Sequence, residues 1–180
     1  MLIQGPNGDV ALVDGGGRLN TFAVSTPEDK HLNHEGRVFS VYFEETASGA
    51  DDYFFYLKNT GIADIYITDI RASCSASTTV FYERVSGTPS YAGVTAITAV
   101  NRNLGSAALL EAITNSDANI TGLTSEGVLF FDEFPAANTR NSIKTSSNLI
   151  VPQGKAIAFR RSAASGTVRC MVSVVGAELV

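Results

Sequence analysis

Tryptophan is absent from this chain, and histidine, cysteine and methionine each occur only twice. Cys74 and Cys170 lie far apart, each among small or apolar residues. That excludes a disulfide-dense scaffold and is read as two free, buried thiols. Charged residues make up 17% of the sequence, against roughly 25% in an ordinary soluble domain. The formal net charge is −5 and Lys and Arg are not clustered, so counterion release from a phosphate backbone has no basis, and no direct nucleic-acid partner is expected. No stretch approaches the ~20 apolar residues of a membrane span. The opening Met1-Leu2-Ile3-Gln4-Gly5-Pro6-Asn7-Gly8 has neither a basic nor an apolar leader segment. The expectation is a soluble protein made in a cytoplasm, with no membrane partner.

Recognisable catalytic motifs are missing as well. There is no Gly-x-Ser-x-Gly elbow and no phosphate-cradling Gly-x-x-x-x-Gly-Lys-Ser/Thr, and Gly15-Gly16-Gly17 supplies no dinucleotide fingerprint. His31 and His34, followed by Glu35, offer two nitrogens and a carboxylate to a metal, but nothing places them on one helix face. A pH-sensitive subunit contact is their other use. The carboxylate pairs Glu44-Glu45, Asp51-Asp52 and Asp132-Glu133 are adjacent residues, which a strand points to opposite faces, so none is a cooperating acid and base. Neither Cys74 nor Cys170 has an identifiable histidine partner. Asn119-Ile120-Thr121 matches a glycosylation acceptor that short triplets reach by chance. Arg160-Arg161, at a strand end, is read as a local salt bridge or as solvated charge. No catalytic, metal-binding or cofactor-binding residue is assigned, and no enzymatic activity is expected.

What the sequence does contain is strand pattern. Short runs rich in Val, Ile, Phe, Tyr and Thr alternate with Gly, Asn, Asp, Ser and Pro. They predict strands over 37–44, 52–58, 63–72, 78–85, 94–100, 127–134, 148–151, 155–161 and 166–175. In the third run, Ile65, Ile67 and Ile70 do not share a parity, which calls for a bulge near Asp69 or a slide into a turn. Asn59-Thr60-Gly61 and Pro152-Gln153-Gly154 predict tight hairpin turns, the first with a residue tolerant of positive φ. Residues 106–115 are rich in Ala and Leu and read either as a helix or as a strand feeding a long loop. The Asn-, Ser-, Asp- and Gly-bearing stretch 114–126 reads as a connection.

The chain length of 180 residues suits one core. The expected fold class is all-β: a two-sheet antiparallel β-sandwich, jelly-roll-like, over 37–180. An immunoglobulin-like sandwich is the nearest competitor, though it lacks its marker Trp and cysteine pair. Residues 1–36 carry two short apolar patches, the three glycines and both histidines, and form either an extra hairpin on the sandwich or an arm completed on a neighbouring subunit.

Three stretches give the chain a resemblance. They are Gln4-Gly5-Pro6 through Val13-Asp14, Arg18-Leu19 and Thr26-Pro27-Glu28; Tyr56-Leu57-Lys58-Asn59-Thr60-Gly61 leading to Ile65-Tyr66-Ile67-Thr68-Asp69-Ile70-Arg71; and Ser146-Ser147-Asn148-Leu149-Ile150-Val151-Pro152 with Gly154-Lys155-Ala156-Ile157-Ala158. In style it resembles the small virion proteins of tailed bacteriophages, chiefly head decoration or cement proteins. The resemblance implies a non-enzymatic jelly-roll-like unit on the particle surface. Its partners would be the major capsid protein or another virion protein and copies of itself, with a trimer favoured. The alternative is a receptor- or carbohydrate-binding module, for which Tyr53, Phe54, Phe55 and Tyr56 are the candidate aromatics, two of the four being expected in the core. A hydrolase is the last of the three readings.

Overall fold

A computed structural model describes residues 2–4, 10–13, 19–20, 32–91, 93, 95–137 and 139–176. The chain divides into two units, residues 1–31 and 32–180. In the first, β1 (Leu2–Gln4), β2 (Val10–Val13) and β3 (Leu19–Asn20) form a small antiparallel sheet in which β2 is central. The glycines 15–17 and the whole stretch 21–31, His31 included, lie outside the described residues. Residues 32–36, expected with the N-terminal segment, form a helical turn belonging to the second unit.

That second unit is built from β4 (Val38–Thr46), β5 (Tyr53–Asn59), β6 (Ile65–Cys74), β7 (Thr78–Tyr91), β8 (Thr95–Ala96), β9 (Val100–Asn101), β10 (Ala112–Phe134), β11 (Thr139–Val151), β12 (Ala156–Arg161) and β13 (Thr167–Gly176). One sheet has the order β11-β6-β13-β4-β9 and the other β5-β12-β7-β10-β8. Among the eight long strands, the first lies beside the last, and nearly every connection passes from one sheet to the other. This is the strand order of a jelly roll, and it excludes the immunoglobulin arrangement, whose sheets hold consecutive strands.

The predicted turns are turns, but not hairpins. Asn59-Thr60-Gly61 leads from β5 to β6 and Pro152-Gln153-Gly154 from β11 to β12, each crossing between sheets. Gly154 has φ 72° and Lys155 N–H donates to Pro152 O at 3.0 Å, the geometry of a type II turn. Gly61, by contrast, does not adopt positive φ. It is needed because a Cβ there would strike the Glu111 carboxylate. Asn59, fully buried, fastens this end: its Nδ2 donates to Ala63 O (2.7 Å) and Val151 O (2.9 Å), and its Oδ1 accepts from Gly61 N–H (2.9 Å).

Apolar alternation explains the core between the sheets. Phe43 of β4 stacks on Phe55 of β5, with ring centroids 4.5 Å apart and planes 8° from parallel. Phe159 and Tyr82 continue the aromatic contact within the second sheet, their centroids 4.6 Å apart. The parity problem in β6 is resolved by a bulge: Ser173 pairs with Asp69 and Val174 with Ile67, so Thr68 is the extra residue and Ile65, Ile67 and Ile70 all reach the core.

Two other expectations fail. Residues 106–111 have no regular structure and 112–126 are strand, the larger part of the 23-residue β10. Residues 94–100 give two short edge strands, β8 and β9, rather than one. The polar composition of β10 is misleading because its neighbours satisfy it. Asn115 Nδ2 donates to Tyr91 Oη at 2.6 Å, Asp117 accepts from Gly93 N–H at 2.9 Å, and the Thr114 hydroxyl donates to Ile97 O.

β10 also closes its sheet. Its first half pairs with β5 and its second half with β7, so β5, β12, β7 and β10 form a pairing ring. Val85 is level with Ala156 and hence with Lys58, whereas Tyr91 is level with Ile120 and hence with Tyr53, at the opposite end of β5. The β7–β10 ribbon has therefore folded back over the outer face of its own sheet. A second core of Tyr56, Val85, Ile120, Ala156 and Ala158, with Tyr53, Tyr91 and Leu123 packed on it, fills the space between. Gly87 (φ 100°) and Gly122 (φ 76°) face each other at the bend, and a Cβ on either would collide with a carbonyl oxygen of the other strand. Substituting Ala at Gly87 or Gly122 is expected to cost about 2 kcal/mol or more, from strain plus displaced backbone. Ala at Gly154, which has positive φ but open space around it, should cost about 1 kcal/mol. Urea unfolding of the three variants checks this order.

Candidate functional site

The strands that carry the second core also position its polar rim. On β7, alternation places Phe81, Glu83 and Val85 on the outer face of the sheet while Val80 and Tyr82 enter the main core. Glu83 is 1% exposed, and a buried carboxylate requires partners. Arg160 Nε and Nη2, from the end of β12, donate to Glu83 Oε1 at 3.0 and 2.7 Å, and Tyr53 Oη donates to Oε2 at 2.6 Å. Burial alone would raise the Glu83 carboxyl, but these hydrogen bonds and the Arg160 charge hold it below the usual carboxylate range. Burial and the neighbouring carboxylate push the Tyr53 phenol up to about 12. Both groups keep their charge state through neutral pH. The cluster positions side chains and is not tuned for proton transfer.

What it positions is Arg160. That guanidinium also pairs with Asp51, and its carbon lies 4.4 Å from the centroid of the Phe81 ring. Phe81 in turn lies 6.3 Å from Phe131 on β10, which is 57% exposed. Val128 and Leu129 of the same strand are exposed too. The outer face of the sheet thus presents an apolar ridge of Val128, Leu129 and Phe131 with the half-buried Phe81, and Arg160 at its margin.

Arg161, its neighbour, faces the other way. It is 1% exposed and donates to three backbone carbonyls, those of Glu45 (3.4 Å), Thr46 (3.2 Å) and Ala118 (2.9 Å), with its carbon 5.2 Å from the Phe54 ring centroid. Burial lowers its pKa. The expectation of a solvated or locally paired Arg160-Arg161 therefore holds only for Arg160; Arg161 is a buried cation tying the end of β4 to β10. The visible signals were two arginines ending an apolar strand, and one acidic residue, Glu83, on the same face as Phe81 and Val85.

The remaining sequence candidates are dispersed. His34 is exposed and its backbone carbonyl accepts from Asn103 Nδ2 at 2.8 Å. Glu44 is engaged by Arg169, while Glu45 accepts a hydrogen bond from the Ser116 hydroxyl on the opposite face. Asp51 pairs with Arg160, whereas Asp52 accepts from Ser48 Oγ at 2.7 Å. Asp132 accepts from Tyr82 Oη at 3.4 Å and Glu133 is exposed. Cys74 and Cys170 are free and buried; burial pushes the Cys74 thiol up to about 12 and Cys170 further. Asn119 sits within β10, half-buried. Of the aromatic run, Phe54, Phe55 and Tyr56 are all buried, three rather than two. A register shift beside Phe54 turns it inward, and the folded-back ribbon covers Tyr56. Among the described residues, no group of three or more His, Cys, Asp or Glu side chains is placed to hold a metal.

A cavity of about 550 Å³ opens at the end of the sandwich where Asn59 fastens the turns, lined by Arg37, Asp64, Leu109, Leu110 and Glu111 among others. Its volume suits a small ligand.

Glu83→Gln removes the charge on which Arg160 closes, with an expected loss of about 2–3 kcal/mol at neutral pH. Because the folded carboxyl titrates below its unfolded value, this contribution is present above the usual Glu range and fades as pH falls through the folded pKa. Urea unfolding at a series of pH values should show the wild-type advantage over the variant shrinking only in acid.

No protein-family model, curated protein or solved structure matches this chain.

Proposed function

We propose that this chain is a structural subunit of a tailed-bacteriophage particle: a decoration or cement protein seated on the major capsid protein or another virion protein and assembled with copies of itself, as a trimer. The observation that carries the reading is the ridge of Val128, Leu129, Phe131 and Phe81 on the paired strands β7 and β10, with Arg160 at its edge. Exposed aromatic and apolar side chains beside an arginine are the composition of interface cores, and a contiguous apolar surface on a small domain marks a contact site. The low charge fraction favours the same use. The sequence resemblance supplies the particle; the ridge supplies the contact.

A second reading, a carbohydrate- or receptor-binding module, is favoured by the cavity beside Arg37, Asp64 and Glu111, whose polar groups suit hydroxyl-rich ligands. The covering of Phe54, Phe55 and Tyr56 removes the aromatic run as its binding platform.

The test is add-back of purified protein to particles lacking it. Phe131→Ser should reduce particle binding about tenfold or more, in the range of a lost interface anchor, with circular dichroism and unfolding midpoint preserved because the ring is exposed. Undiminished binding of this variant removes the ridge from the contact. Saturable binding of a glycan, lost in Glu111→Ala, would favour the second reading.

A further inference from the structure

The outer face of the other sheet carries a different feature. Three paired strands place Arg140 of β11, Ser73 of β6 and Arg169 of β13 in one cross-strand row, with Glu44 of β4 beyond Arg169. Strands are about 4.8 Å apart, so the two arginine Cα atoms lie roughly 10 Å from each other, with Ser73 between them. The row borders a hollow of about 200 Å³ whose lining also includes Ser75 and Thr167.

Several donors around this hollow have no partner among the described residues. Arg140 makes no ion pair or hydrogen bond with the described residues, and neither does the Ser73 hydroxyl. Arg169 gives Nε and Nη2 to Glu44, at 2.9 and 3.0 Å, and keeps its Nη1 donors. Ser75 Oγ accepts from Thr167 N–H at 2.8 Å, which leaves its own proton to give. Two guanidinium groups and two serine hydroxyls thus border one small polar space, in a chain whose formal net charge is −5. A planar carboxylate is satisfied by a single guanidinium fork. Donors arriving from opposite sides and from below match an anion with oxygens in several directions.

We propose that this hollow is a binding site for a tetrahedral oxyanion, phosphate or sulfate, held between Arg140 and Arg169 over Ser73. Arg140 supplies the unneutralised charge, Arg169 a second set of donors and Ser73 the floor. The ion is either free or carried as a monoester on a larger molecule, and the two sources share this chemistry.

The experiment is NMR titration of the isotope-labelled full chain with sodium phosphate, sodium sulfate, methyl phosphate and sodium acetate, at ionic strength held constant with sodium chloride. Saturable shifts of the Ser73, Ser75, Arg140 and Thr167 amides are expected with phosphate and sulfate. Arg140→Gln should weaken binding about tenfold, the loss of one charge-assisted contact. Arg84→Gln, which alters a salt bridge to Glu126 on the other sheet, should leave it unchanged. Tighter binding of methyl phosphate identifies an esterified source and equal binding the free ion. Acetate binding as tightly as sulfate, absence of saturable shifts, or full-strength binding by Arg140→Gln would overturn the site.

Discussion

The two sheets meet through the stacking of Phe43 on Phe55, and the rest of the sandwich depends on that contact. Almost no strand pairs with its neighbour in sequence, so hardly any local hairpin exists to hold the chain while the rest is assembled. Each sheet gathers strands from distant parts of the chain, and β4 pairs along its length with β13, the last strand, and at one end with the short β9. A fold of this kind pays its loop-closure entropy before its pairings form, and it belongs to the slow-folding classes. The aromatic group of Phe43, Phe54, Phe55, Phe159 and Tyr82 is what makes the encounter of the sheets favourable, each ring burying apolar area and fixing its neighbour's angle.

Covering one face of the β5-β12-β7-β10 sheet leaves the other to be covered as well. The chain does this with its own ribbon, folded back at Gly87 and Gly122 over Ala156 and Ala158, whose small side chains let Tyr91 and Ile120 approach. Charge is then trapped at the edges of the covered zone. Glu83 is resolved by Arg160 and Tyr53, and Arg161 by three carbonyls. These groups specify geometry more than they add stability, since a buried ion pair repays its desolvation only when every partner is in place. Arg160 and Phe81 are thereby held beside the exposed Phe131.

The long strands were legible where apolar residues mark them; β11, expected over 148–151, begins at Thr139, and β7, expected to end at 85, runs on to Tyr91. Tyr82 and Glu83, or Ile65 and Ile67 with the bulge between Ile67 and Ile70, announce their faces without any tertiary knowledge. The turn chemistry at Pro152-Gln153-Gly154 was legible too, but a turn sequence encodes reversal and not the sheet to which the chain returns. The first half of β10 was hidden because Thr114, Asn115, Ser116 and Asp117 look like a loop; they are strand by pairing with β5 and β8, and Tyr91, Ile97, Gly93 and Glu45 satisfy their polar groups. The ridge and the oxyanion hollow were out of reach for the same reason. Arg140, Ser73 and Arg169 are brought together by pairing across three strands, and Phe81 and Phe131 by the β7–β10 register.

The function proposed for this jelly roll is placement on a particle surface through the apolar group around Phe131 and Phe81. Quantitative mass spectrometry of gradient-purified particles, calibrated against the major capsid protein, tests this most directly. Incorporation at a stoichiometric fraction of the capsid subunits is expected. Its absence from purified particles, with the protein recovered only in the soluble lysate, would contradict the assignment.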